Sequence, residues 1–113
     1  MHTVLLSKID QLKVHGRRPS VPSGVRIYAV GDIHGRVDLL DDLLAMIDAD
    51  VAHHSDVTPI FVFLGDYIDR GASSRETISR LIARSEISRC IFLKGNHEQI
   101  MLRCLEDAGL FEI

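Results

Sequence analysis

The chain has 113 residues, enough for one small domain and not comfortably for two. Its hydrophobic content of 46% and charged content of 26% are those of an ordinary globular protein. With 13 basic against 16 acidic residues the formal net charge is -3, which argues against a general nucleic-acid or membrane-surface binder, whose affinity needs a basic excess.

Residues 1–24 read as an N-terminal extension and linker, and residues 25–113 as the domain proper. Leu5, Ile9 and Leu12 have the spacing of one side of a short helix. Pro19, Pro22, Gly16 and Gly24 then mark an irregular connector, in which Arg17 and Arg18 read as solvated charges. Val4-Leu5-Leu6 is broken at once by Ser7, Lys8 and Asp10, unlike a signal peptide. The apolar run Ile60 to Leu64 is far below the ~20 residues a membrane-crossing helix needs. Cys90 and Cys104 form no C-x-x-C pair and read as reduced thiols, so the cytoplasm is the expected compartment.

Val25 to Val30 is a β-branched and apolar run that stops at Gly31-Asp32. Val37 to Ala49 carries apolar residues at 40, 43, 44 and 47, the spacing of a helix. Ile60 to Leu64 is continuously apolar, as in a strand buried on both faces. Ser73 and Glu76 predict a capping box that opens a helix through about Arg84, with Ile78, Leu81 and Ile82 inward. Cys90 to Leu93 predicts a third strand, and His97 to Asp107 a third helix with Ile100, Met101 and Leu105 inward and Gly109 as its stop. His53 and His54 fall where cations complement the dipole at the end of the first helix. Tyr67 and Ile68 are expected to pack rather than line a pocket.

Alternating strands and helices predict an α/β fold with parallel strands and right-handed crossovers. In such a sheet ligands bind at the carboxyl edge of the strands. That edge receives Gly31-Asp32-Ile33-His34-Gly35, Gly65-Asp66-Tyr67-Ile68-Asp69-Arg70-Gly71 and Gly95-Asn96-His97-Glu98. Any one aspartate there has an ordinary reading as a turn or cap residue. Carboxylates gathered in one cleft repel one another unless cations neutralise them, and oxygen donors mixed with imidazole suit manganese, iron or zinc better than calcium.

The forms GDIHG, GDYIDRG and GNHE, in this order and each at a strand end, resemble the calcineurin-like metallophosphoesterases. Their detail is similar to the phosphoprotein phosphatase branch, which includes serine/threonine protein phosphatases and symmetrical diadenosine tetraphosphate hydrolases. The resemblance implies the parallel βαβαβ half of a metallophosphoesterase α/β/β/α sandwich. It implies two divalent metal ions, manganese first, with iron or zinc as alternatives. Asp32 and His34 would ligate the first ion, Asp66 would bridge, and Asn96 would bind the second. The implied chemistry is attack on a phosphomonoester by a dimetal-bound hydroxide. His97 would be the general acid, Asp69 its partner, and Arg70, Asn96 and His97 would contact the substrate phosphate. Glu98 is expected to support Arg70 or another site group.

The implied substrate is phosphoserine or phosphothreonine on a protein, or a small phosphoester, with no nucleic acid or membrane as partner. Cleavage of a dinucleoside polyphosphate is the alternative enzyme reading. A truncated, non-catalytic metal- or partner-binding domain is the alternative outside catalysis. A dinucleotide-binding domain is the weakest reading, because Gly31-x-x-x-Gly35 lacks the G-x-G-x-x-G order. The family supplies two further histidines to the second metal, whereas no histidine follows His97 here. The expectation is therefore an N-terminal portion of the domain, weak or inactive alone, whose three-stranded sheet leaves an apolar face uncovered.

Overall fold

A computed structural model describes residues 18–109. The helix expected around Leu5 to Leu12 and the tail from Leu110 lie outside the described residues. In chain order the elements are β1 (Val25–Val30), α1 (Val37–Ala52), β2 (Thr58–Phe63), α2 (Ser74–Ile87), β3 (Cys90–Phe92) and α3 (Asn96–Asp107). The three strands form one parallel sheet in the order β1-β2-β3. Val25 pairs with Thr58 and Val30 with Phe63, while Phe61 pairs with Cys90 and Phe63 with Phe92.

Two successive crossovers of one hand place α1 and α2 on the same face of the sheet. Tyr28 and Val30, Phe61 and Phe63, and Cys90 and Phe92 are the side chains of that face, because residues two apart on a strand point the same way. Their aromatic rings form a ladder, with centroids 5.7 Å apart for Tyr28 and Phe61 and 5.1 Å for Phe63 and Phe92. Against it pack Leu40, Leu44 and Ile47 of α1 and Leu81 of α2, all buried. Full burial of a large apolar side chain such as Phe61 or Phe63 contributes ~1.5–3 kcal/mol. The helices are joined by Arg84 to Asp48 at 2.8 Å and Arg80 to Asp41 at 2.8 Å.

The opposite face is apolar and open in part: Ile27 and Ile91 are 42% and 45% exposed, although Ile60 between them is buried. Thus β2 is enclosed on its helical face and only partly on the other, short of the two-sided burial its sequence predicts. Three further expectations need correction. Ser73 occupies the N-cap of α2 without a side-chain capping bond, and the helix runs to Ile87. Ile82, expected inward, is exposed rather than within the core. Ile100 and Met101 of α3 are also exposed, and the buried residue of that helix is Glu98. The reason is that α3 follows the last strand and has no neighbouring layer to pack against among the described residues. At the end of α1, His54 Nδ1 lies 2.9 Å from the Asp50 carbonyl, so the histidine serves the helix terminus as its position predicts. Tyr67 and Ile68 are buried in the core cluster, as expected.

Candidate metal centre

All three strands deliver their loops to one edge, and backbone bonds stitch the first two loops together. The Asp66 carbonyl accepts from the amides of Ile33 at 3.0 Å and His34 at 2.9 Å. Gly35 N–H donates to Tyr67, and Gly71 N–H to His34, both at 2.8 Å. The chains run so close that a Cβ at Gly71 would strike the His34 carbonyl, and one at Gly95 would strike Asp66. Glycine is required there for space.

Among the described residues, the non-glycine positions with positive φ are His34 (48°), Asp66 (56°), Asp69 (69°) and Arg70 (74°). Each is a residue that the sequence singles out. Such conformations cost on the order of 1–3 kcal/mol apiece and persist only where surrounding bonds over-determine them.

Asp32, His34 and Asp66 each offer one ligand atom, and these atoms lie within 4.8 Å of one another, a spacing suited to a single ion. His34 Nδ1 is 2.9 Å from the Ile68 carbonyl, which can only accept. In its neutral form the imidazole would therefore carry its proton on Nδ1, which leaves Nε2, 3.5 Å from Asp32 Oδ2, as the ligand atom. The Asn96 amide stands against both carboxylate oxygens of Asp66, at 3.0 and 3.1 Å. With its nitrogen inward it donates to both; with its oxygen inward it joins them as a third oxygen donor. Two carboxylates and an imidazole thus fit one divalent cation, and Asp66 with Asn96 offers the beginning of a second site.

The first turn of α3 brings in the proton-transfer candidates. His97 donates its backbone N–H to Asp66 Oδ1 at 3.1 Å, while its ring Nδ1 lies 2.9 Å from Asp69 Oδ2. The His97 ring meets the His34 ring edge-on, with centroids 4.8 Å apart. Asp69 is held from behind, where its N–H donates to Ser74 Oγ at 3.0 Å. Arg70 follows directly and is exposed at the rim. The structure therefore brings Asp32, His34, Asp66, Asn96, His97 and Asp69 together, with Arg70 at the margin.

Two contributors take a form that the sequence left open: Glu98 supports another site group, Asp66, rather than Arg70, and Tyr67 uses its hydroxyl as well as its ring. Glu98 is buried and does not serve Arg70: its Oε1 accepts from Asp66 N–H at 2.6 Å and Gly95 N–H at 3.0 Å, and its Oε2 from Tyr67 N–H at 3.0 Å. The offset from Gly95 to Glu98 is the capping-box spacing, which is the signal that could have found it. Tyr67 Oη lies 2.6 Å from the Leu93 carbonyl and 3.0 Å from that of Phe63, bridging the ends of β2 and β3. Burial, reinforced by the Glu98 charge, pushes its phenol up to about 12.

A family model described as calcineurin-like phosphoesterase matches residues 25–113. The chain is 35% identical over 80 residues to the catalytic subunit of serine/threonine-protein phosphatase 6 of Drosophila melanogaster, covering 69% of this chain and 24% of the relative. It is 43% identical over 74 residues to a putative serine/threonine-protein phosphatase of Schizosaccharomyces pombe, covering 64% and 22% respectively. It is 37% identical over 75 residues to a symmetrical bis(5'-nucleosyl)-tetraphosphatase of a Janthinobacterium strain, covering 66% and 25%. The chain thus spans about a quarter of the length of these relatives. No solved structure matches it. Among the described residues, no helix is long and apolar enough to cross a membrane.

Proposed function

The chain belongs to the calcineurin-like phosphoesterase family, and from that premise we propose that the protein hydrolyses phosphomonoesters, with phosphoserine and phosphothreonine of proteins as its substrate class. The observation that carries this reading is the His97–Asp69 pair, 2.9 Å apart, beside the Asp32, His34 and Asp66 cluster. A domain that only bound metal would need the cluster and no oriented imidazole next to it.

Asp32, His34 and Asp66 would hold one divalent ion, and Asp66 and Asn96 would contribute to a second, manganese before iron or zinc. When bound, such ions supply positive charge to the phosphoryl oxygens and acidify water near neutrality. Asp69 accepts the Nδ1–H of His97 and fixes the ring, so that Nε2 carries the proton passed to the departing oxygen. Arg70, which is exposed, would present a planar fork to the phosphoryl oxygens, with Asn96 and His97 as the further phosphate contacts. The described residues leave only Asp66 and Asn96 for the second ion, so residues 1–113 alone should turn over slowly. The free thiols of Cys90 and Cys104 support a cytoplasmic setting.

The likeness to a bis(5'-nucleosyl)-tetraphosphatase favours one second reading, cleavage of a dinucleoside polyphosphate by the same residues. Turnover of a phosphopeptide and of diadenosine tetraphosphate with manganese, before and after chelation, tests both. The expected result is phosphopeptide hydrolysis that chelation abolishes. Preference for the dinucleotide would establish the second reading, and hydrolysis of either substrate that persists undiminished after chelation would refute the metal-dependent mechanism.

A further inference from the structure

We infer that Glu98 is a positioning residue for the metal centre: it sets the backbone of Asp66, and through it the cation affinity of the Asp32, His34 and Asp66 cluster. This rests on the proposed metal site and assigns a role to a side chain that touches no metal, substrate or reacting atom.

Asp66 is the hub of the strand edge. Its carbonyl holds the amides of Ile33 and His34, its side chain receives the His97 amide, and the Asn96 amide stands against it. Yet its backbone has a φ of 56°, a conformation an aspartate leaves unless it is held. The bonds from the other side come from Glu98, whose carboxylate takes the N–H of Asp66 at 2.6 Å and that of Tyr67 at 3.0 Å. The same carboxylate takes the Gly95 N–H at 3.0 Å, so one side chain ties the β2 loop to the β3 loop. A carboxylate only 8% exposed is costly to bury without partners, and three amide donors are what offset that cost. A glutamine has one acceptor oxygen, and its amide nitrogen would face an N–H with nothing to accept it. Removing the carboxylate thus frees Asp66 to relax, and every group bonded to it shifts.

The experiment compares wild type with Glu98→Gln and Glu98→Asp. Manganese affinity is read by electron paramagnetic resonance, and thermal unfolding is read in chelator. We expect Glu98→Gln to weaken manganese binding by roughly 10–100-fold, the range for outer-shell partners, while metal-free unfolding shifts by only a few degrees. Glu98→Asp, which keeps the charge on a shorter arm, should recover part of the affinity. Wild-type affinity in Glu98→Gln would overturn the inference while leaving the phosphoesterase reading intact. A wild-type chain that bound no manganese would instead sink that reading and this inference with it. If Glu98→Gln fails to fold, hydrogen exchange of the wild-type amides decides. Protection of Asp66, Tyr67 and Gly95 supports the clamp, and exchange at the rate of an open loop refutes it.

Discussion

The two ends of the parallel sheet treat charge in opposite ways. Towards the amino end, Asp50 is satisfied within the fold: Tyr28 Oη donates to it at 2.6 Å and Arg26 Nε at 3.0 Å, with His54 close by. None of these four residues has a positive φ. At the carboxyl end, Asp32, Asp66 and Asp69 converge with histidines and an asparagine as their side-chain partners, on a backbone strained at four positions. One end is finished by folding, whereas the other is built at a cost in strain and gathers carboxylates whose charge a bound cation would offset.

Metal titration puts the largest strain on this contrast. Manganese at about a hundred times its dissociation constant should stabilise the chain by ~2.7 kcal/mol, a rise of roughly 10 °C in melting temperature. Asp32→Ala should erase that shift and Asp50→Ala should leave it intact, since only the first removes a donor from the cluster. A loss with Asp50→Ala as well would break the division between the two ends. Next comes chemistry: His97→Ala should lower phosphoester turnover by about 10²–10⁴-fold with manganese binding retained, because the His97 contact to Asp66 is through the backbone.

Two smaller effects, on stability and pH, sharpen the comparison further. Tyr67→Phe should cost about 1–3 kcal/mol in denaturant unfolding, by removing the hydroxyl that donates to the Leu93 carbonyl, whereas the Phe63 carbonyl keeps the Leu93 N–H. Burial raises the Tyr67 phenol to about 12, above its unfolded value near 10. Its contribution is therefore whole below pH 10 and is lost as the pH rises through about 12, a limb the phenylalanine variant should lack. The Asp50 carboxyl is held below its ordinary value, first by the Tyr28 hydroxyl and then by Arg26. Its contribution is complete above about pH 4 and disappears as the pH falls through the lowered value, so Asp50→Asn should flatten the acid limb of unfolding. Acid should thus loosen the amino end and alkali the carboxyl end.

The α/β alternation, the parallel order and the gathering of Asp32, His34, Asp66, Asp69, Asn96 and His97 at one edge were legible in the chain. Apolar runs interrupted by helical spacing dictate those elements, and the handedness of crossovers leaves few ways to assemble them. The sequence is less informative where a residue's partner is remote. Glu98 lies 32 positions from Asp66, and its capping-box offset from Gly95 marks an acid at a helix start without saying that it also grips the amides of Asp66 and Tyr67. The same is true of Ile100 and Met101, whose apolar character marks a face without saying whether anything lies against it.

What the order of amino acids determined, then, was which chemistry is present and at which edge it gathers, because residue type and short-range periodicity are local properties. Only the tertiary structure decided how the edge is held: four left-handed residues, glycines that admit touching loops, and a buried glutamate clamping two of them. Hydrogen bonds between segments tens of residues apart depend on ångström-scale approach, which spacing along a chain does not encode.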